Sequence, residues 1–135
     1  MTSPLPSTTL LTLAGRGLVE AAEATTPAER YAAAHLSALR AAAAVLACRA
    51  RPAASPVRRL RPTSAWVLLT AVAPELGEWA AFFAAGARKR AAAEAGLAGA
   101  VTPREADDLL RDAEMFLAVV ETTLGLAHQQ LLASG

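Results

Sequence analysis

The segment that most constrains the fold is an alanine-rich stretch from residue 26 to residue 51. Thr26 and Glu29 have the spacing of a capping box, and Pro27 occupies the first helical position, where its missing N–H costs nothing. Alanine, the residue with the highest helix propensity, then dominates without an intervening Gly or Pro until Pro52. Because alanine lies on several faces of this segment, we predict a central helix that neighbouring helices pack against on more than one side.

The amino-acid composition favours a single, helical domain. At 135 residues, with 54% hydrophobic and 19% charged residues, the chain is long enough for one domain with a buried core. Aromatic residues make up only 4%, so we expect closely spaced helices around a few large side chains. The single cysteine, Cys48, excludes an internal disulfide and fits a reducing cytosol.

The expected location is the cytoplasm, without a membrane partner. The first residues lack the basic region and the uninterrupted apolar run of a signal peptide. The two most apolar windows, 31–50 and 65–87, are both interrupted by polar or charged residues, so neither has the sequence of a bilayer span.

Helical periodicity and turn residues predict the remaining elements. A first helix runs from about residue 8 to residue 25 and forms an antiparallel hairpin with the central helix, because the junction is short. A proline-rich basic loop at about 52–62 follows. The third helical segment is kinked or broken at Pro74 and ends near Gly96.

The last helix begins at a second capping box and has the clearest apolar stripe in the sequence. We therefore predict an all-α, antiparallel bundle of four to five helices. It forms a single domain, 8–133, after a flexible N-terminus, 1–7.

Charge is segregated along the chain. Between Glu29 and Glu75 there are seven arginines and no acidic residue, whereas residues 105–121 are mainly acidic. Arginines can hold phosphates by charge and by paired hydrogen bonds. The candidate nucleic-acid-binding residues are Arg40, Arg49, Arg51, Arg58, Arg59 and Arg61. The alternatives are a solvated loop and a docking surface for the acidic last helix of another copy.

Three segments of the sequence, 29–47, 64–96 and 101–121, resemble the HEPN superfamily (higher eukaryotes and prokaryotes nucleotide-binding). More specifically, the sequence resembles a small family of stand-alone HEPN-domain proteins from actinobacteria. The resemblance implies a HEPN-like bundle of four to five helices that is often dimeric. It also implies a ribonuclease, a toxin paired with an antitoxin, or a non-catalytic module that binds RNA or nucleotide.

The catalytic signature of that superfamily is an Arg followed after four to six residues by a His, usually on a late helix. The only pair with that spacing is Arg30 and His35, on the second helix, and the last helix has no His at the matching place. Five positions on a helix rotate the two side chains apart by roughly 140°. The pair would serve RNA cleavage with His35 as acid and base and Arg30 on the phosphate. The alternative is an exposed first-turn Arg and a hydrogen-bonded interior His.

The sequence favours a non-catalytic or weakly catalytic module that binds RNA, nucleotide or a partner protein such as an antitoxin. One alternative is a metal-independent endoribonuclease, and another is a purely structural interaction module. We expect no metal and no cofactor, because no phosphate-binding glycine loop and no spaced ligand set occur. We also expect a homodimer with Trp79 and Phe82 at its interface, since not every aromatic side chain can face one core.

Overall fold

The computed structural model describes residues 5–49 and 62–134, and all of its regular structure is helical. This confirms the predicted all-α class. The helices are α1 (Ser7–Glu23), α2 (Pro27–Arg49), α3 (Pro62–Val72), α4 (Gly77–Ala85), α5 (Ala87–Glu94) and α6 (Pro103–Ser134). Most of the predicted flexible N-terminus and of the predicted basic loop lie outside the described residues.

Helices α1 and α2 form the expected antiparallel hairpin. Ser7 at the start of α1 donates its hydroxyl to the Ala44 carbonyl near the end of α2, at 2.8 Å. The two helices pack closely at Gly17, where an added Cβ would collide with the Ser37 hydroxyl. Glycine at this position therefore allows the two backbones to approach each other.

Helix α2 is the central element, as its alanine content predicts. It contacts α1, α3, α5 and α6, and its buried side chains include Ala34, Ala38, Ala41 and Val45. By length and composition α2 could also cross a membrane, but 56% of its most apolar window is buried inside the bundle. Packing against four helices is sufficient to explain why this helix is so apolar.

The predicted capping box at the start of α6 forms in full, and the one at the start of α2 forms in part. At the start of α6, the Glu105 N–H donates to the Thr102 hydroxyl at 3.1 Å, and the Thr102 N–H donates to the Glu105 carboxylate at 2.9 Å. At the start of α2, the Glu29 N–H donates to the Thr26 hydroxyl, but the Glu29 carboxylate accepts from that hydroxyl instead of from the backbone. Each box satisfies donors that the first helical turn leaves without partners.

The chain reverses direction at Pro74. Trp66 in α3 stacks on Phe83 in α4 with ring centroids 5.3 Å apart, although in one straight helix residues 17 positions apart would be separated by about 26 Å. Ala73 has a non-helical backbone, with φ −139° and ψ 72°, because a residue before proline disfavours the helical conformation. A short 3-10 turn at Pro74–Leu76 then leads into α4. The predicted break at Pro74 is thus a helical hairpin.

The core lies where this hairpin meets α2 and α6. Trp66, Phe83 and Phe116 are almost completely buried and contact one another. The predicted apolar stripe of α6 is confirmed over its described part, where the buried side chains are Ala106, Leu109, Ala113, Phe116, Leu117 and Val120. Between α5 and α6, the left-handed residues Gly96 (φ 73°) and Gly99 (φ 72°) make the turn that brings α6 back along the bundle.

Candidate functional site

Arg30 holds the ends of three helices together. Its guanidinium donates to the carbonyls of Ala21 and Ala24 at 3.0 Å each, which satisfies the last turn of α1. Its Nη1 also donates to Asp107 Oδ1 in α6 at 2.7 Å. The donors of Arg30 that the superfamily signature would direct at a phosphate are therefore engaged within the fold.

His35 lies in the core with none of its surface exposed. Its Nε2 donates to the Phe83 carbonyl at 2.8 Å, which leaves Nδ1 as the unprotonated nitrogen, without a partner among the described residues. Burial lowers the pKa of His35, and nearby Arg90 lowers it further, against opposing effects of the Phe83 hydrogen bond and Glu94. The imidazole of His35 is therefore neutral and forms part of the core.

The structure does not bring Arg30 and His35 together. One side chain lies at the junction of α1 and α6, and the other lies among Tyr31, Trp66 and Phe83. This is the alternative arrangement that the sequence left open, except that Arg30 is paired and only partly exposed. Catalysis by this pair stays a prediction, and it would require His35 to leave the core.

Two of the six candidate nucleic-acid-binding arginines fall within the described residues. Arg40 is partly buried on α2, and Arg49 at the end of α2 pairs with Glu75 at 2.7 Å. The other four, Arg51, Arg58, Arg59 and Arg61, lie outside the described residues. Arg40 and Arg49 therefore do not form a cluster of unpaired cations. Binding of nucleic acid by the six arginines stays a prediction.

A surface groove runs along α4 and α6, and we call it the aromatic groove. It consists of two clefts of about 400 Å³ and 300 Å³ that share Phe82 and Asp112. The first is also lined by Glu75, Glu78 and Trp79, and the second by Tyr31, Lys89, Glu105, Asp108 and Leu109. Of the two aromatic residues expected at an interface, Phe82 is 46% exposed. Trp79 is partly buried against Phe83 and Phe116.

The local helix geometry places Phe82 at the surface. Phe83, the next residue, points into the core with no exposed surface, and the two rings meet edge to face at 5.0 Å. Successive residues on a helix point about 100° apart, so when Phe83 is buried Phe82 turns towards solvent. The buried ring of Phe83 packs against the exposed ring of Phe82, which leaves Phe82 accessible to a partner.

Carboxylates give the aromatic groove its charge. The pKa of Glu75 is lowered by a backbone N–H and by Arg49, and the pKa of Glu105 is lowered by Lys89 and by the Thr102 N–H. Both groups stay ionised at neutral pH. Among the described residues, Glu78 and Asp112 have no salt-bridge partner, so they present negative charge beside Phe82.

Burial and the charge of Glu105 raise the pKa of Tyr31, which lines the same groove. The phenol therefore stays neutral at neutral pH. Within the described part of the chain, no cluster of three or more His, Cys, Asp or Glu side chains could hold a metal ion.

The sequence identified Trp79 and Phe82 but not the carboxylates beside them. Asp112 is one of the acidic residues between 105 and 121, and nothing in its spacing indicates that α4 lies beside it. Glu78 and Asp112 line the same cleft as Phe82, and this depends on the reversal at Pro74, after which α4 begins.

A protein-family comparison matches residues 21–121 to a family described as SAV_6107-like HEPN. The match spans most of the chain and includes α2 to α5 and much of α6. No curated protein and no solved structure shows significant similarity to the sequence.

Proposed function

Since the chain belongs to the SAV_6107-like HEPN family, we propose that it acts as a non-catalytic protein-binding module whose aromatic groove accepts an arginine-bearing segment. Family membership alone does not choose between cleaving RNA, binding nucleotide and binding protein. The observation that favours protein binding is Phe82, which is 46% exposed and lies beside Glu78 and Asp112.

An arginine side chain fits this chemistry. A guanidinium can lie over an aromatic face while its N–H groups donate to a carboxylate in a paired arrangement. Arg49 of the same chain pairs with Glu75 at the edge of the groove, at 2.7 Å, which supports the match between a guanidinium and these carboxylates. Phosphate groups, in contrast, would be repelled by the carboxylates of Glu78 and Asp112.

The partner that we propose is a second copy of this chain. The sequence has seven arginines and no acid between Glu29 and Glu75, and two of them, Arg30 and Arg49, pair within their own chain. The arginines that one copy would supply to the groove of the other are therefore Arg51, Arg58, Arg59 and Arg61. A two-fold axis lets both copies make this contact at once. Complementary charges would orient the pair, and Phe82 would supply apolar burial.

Binding of arginine by the aromatic groove can be tested with the peptide Ac-Arg-Arg-Leu-Arg-NH2, which contains three arginines and one apolar residue. Binding is followed by the fluorescence of Trp79, which lines the groove, in a Trp66→Phe variant that removes the signal of the buried indole. The control peptide replaces each arginine by citrulline, which is of similar shape but uncharged. We expect the Phe82→Ala and Asp112→Asn variants each to weaken binding by roughly tenfold, equivalent to about 1.4 kcal/mol.

Val67→Ala is the matched control for Phe82→Ala, because Val67 is exposed on α3 and does not line the groove. Equal affinity of the arginine and citrulline peptides would overturn the proposal. Unchanged binding by Phe82→Ala and Asp112→Asn would also overturn it.

RNA is the second candidate partner, favoured by the density of arginines from Arg49 to Arg61. RNA bound by these arginines would be released steeply by salt, because each neutralised phosphate displaces counterions. Replacing Arg51, Arg58, Arg59 and Arg61 with Gln would then flatten the salt dependence. A role in a toxin–antitoxin or stress-response system stays a prediction, tested by toxicity on expression with and without a neighbouring gene product.

A further inference from the structure

A second groove, separate from the aromatic groove, runs between α1 and α6. It has a volume of about 450 Å³. Its apolar lining consists of Gly15, Leu18, Val19, Ala22, Leu117 and Ala118, and its acidic rim consists of Glu23, Glu114 and Glu121. We call it the α1/α6 groove.

The apolar surface of this groove is partly left open to solvent. Leu18 and Leu117 form its buried floor, while Val19 is 58% exposed at its edge. Gly15 and Ala22 flank Val19 on α1 at helical spacing, and small residues at these positions leave space above the floor. A Cβ added at Gly15 would contact nothing within 4 Å, so the space extends to the helix backbone.

The charge of the rim limits what can occupy the groove. All the charged side chains that line it are carboxylates. Self-association through this groove about a two-fold axis would bring acidic rim against acidic rim, which is unfavourable. A partner with lysines or arginines beside an apolar stripe would instead complement both the rim and the floor.

We propose that the α1/α6 groove is a docking site for an amphipathic helix of a different protein, with basic residues on both sides of its apolar stripe. The groove itself is formed by two helices, with apolar residues at Val19 and Ala22 on α1 and at Leu117 and Ala118 on α6. This arrangement fits a third helix that inserts apolar residues at every third or fourth position. The glutamates at the rim then pair with its flanking cations.

The probe is a fluorescein-labelled, 14-residue amphipathic peptide of leucine and lysine, Leu-Lys-Lys-Leu-Leu-Lys-Leu repeated twice. Its matched control has every lysine replaced by glutamate, so the apolar stripe is unchanged and the charge is reversed. Fluorescence anisotropy measures binding to the full chain. The groove is filled by Gly15→Phe and left open by Gly15→Ala, and both substitutions are at a position with free space.

The lysine peptide is expected to bind, and the glutamate peptide to bind at least about tenfold more weakly, because its charges face Glu23, Glu114 and Glu121. Gly15→Phe should weaken binding of the lysine peptide by about tenfold, whereas Gly15→Ala should leave it unchanged. The double variant Glu114→Gln and Glu121→Gln removes two charges from the rim. It should reduce the difference in binding affinity between the two peptides.

Comparable binding of the two peptides would overturn the proposal, because it would show that the rim does not select charge. Unchanged binding by Gly15→Phe would do so as well. Loss of binding in Phe82→Glu with retention in Gly15→Phe would also count against it, because the peptide would then occupy the aromatic groove. Circular dichroism of each variant, with a helical signal equal to that of the wild type, confirms that the comparison is between folded proteins.

Discussion

Arg30 Nη1 lies 2.7 Å from Asp107 Oδ1, and this contact joins the first turn of α2 to the first turns of α6. The same guanidinium caps the last carbonyls of α1. Arg30 therefore connects three helices that are distant in sequence. These contacts give Arg30 a structural role in the fold, at a place separate from His35 in the core.

The first prediction concerns the stability that Arg30 provides. Arg30→Gln should reduce the free energy of unfolding by about 1–3 kcal/mol, because the α1 carbonyls lose a charged donor in a partly buried site. Arg104→Gln is the matched control, since Arg104 is on the same end of the bundle but its side chain is 91% exposed. That control should change stability by less than about 0.5 kcal/mol. Urea unfolding followed by circular dichroism measures both, and equal effects of the two changes would contradict this role.

The second prediction concerns the contact of α1 with α2. Gly17→Ala should destabilise the protein despite the better helix propensity of alanine, because the new methyl group collides with the Ser37 hydroxyl. Ser37→Ala alone should be close to neutral, since that buried hydroxyl has no hydrogen-bond partner among the described residues. The double variant should recover most of the loss. A thermal-unfolding cycle in which the two effects simply add would exclude this contact as the cause.

Local sequence signals predicted most of the helices and the residues that begin α2 and α6, but not the break at Gly86 that separates α4 from α5. The spacing of Thr102 and Glu105 identifies a capping box, and both of its hydrogen bonds form. The alanines of α2 predict a central helix, and its contacts with four other helices confirm this. These features depend on residues within one turn or on one helix face, so they can be inferred before the tertiary structure is known.

Features that depend on tertiary neighbours could not be inferred in this way. The direction of α4 after Pro74 brings Phe83 onto Trp66, a contact that sequence spacing does not show. The acidic lining of the aromatic groove follows from that direction, because it brings Glu78 and Asp112 to the same cleft. The capping of α1 by Arg30 likewise depends on a residue that belongs to the next helix.

The third prediction concerns cleavage of RNA. Purified protein incubated with mixed-sequence RNA in EDTA should leave the RNA intact, because His35 is fully buried and Arg30 is held by α1 and Asp107. The control is the same preparation with added pancreatic ribonuclease, which establishes that cleavage would be seen. Cleavage that disappears in His35→Gln, with the helical signal retained, would contradict the non-catalytic assignment.

The fourth prediction concerns acid sensitivity. Burial lowers the pKa of His35 in the folded state below its ordinary value of 6.5, so the unfolded chain binds a proton more readily than the folded one. The stabilising contribution of neutral His35 is therefore complete above about pH 6.5 and decreases as the pH falls below it. Urea unfolding at about pH 7.5 and about pH 5.5 should show a larger loss for the wild type than for His35→Gln. Gln can keep the hydrogen bond to Phe83 without titrating, and equal losses would remove His35 as the source.

The fifth prediction is that the protein is a homodimer that depends on Phe82. Sedimentation equilibrium at micromolar concentration should give about twice the chain mass of 13.9 kDa. Phe82→Glu should shift the protein towards monomer, because it removes an exposed ring and adds charge beside Glu78 and Asp112. Val67→Glu is the matched control, since it places the same charge at an exposed apolar residue outside the aromatic groove, and it should remain dimeric. A wild type that is monomeric across that concentration range, or a dimer that both substitutions disrupt equally, would exclude the aromatic groove as the contact between copies.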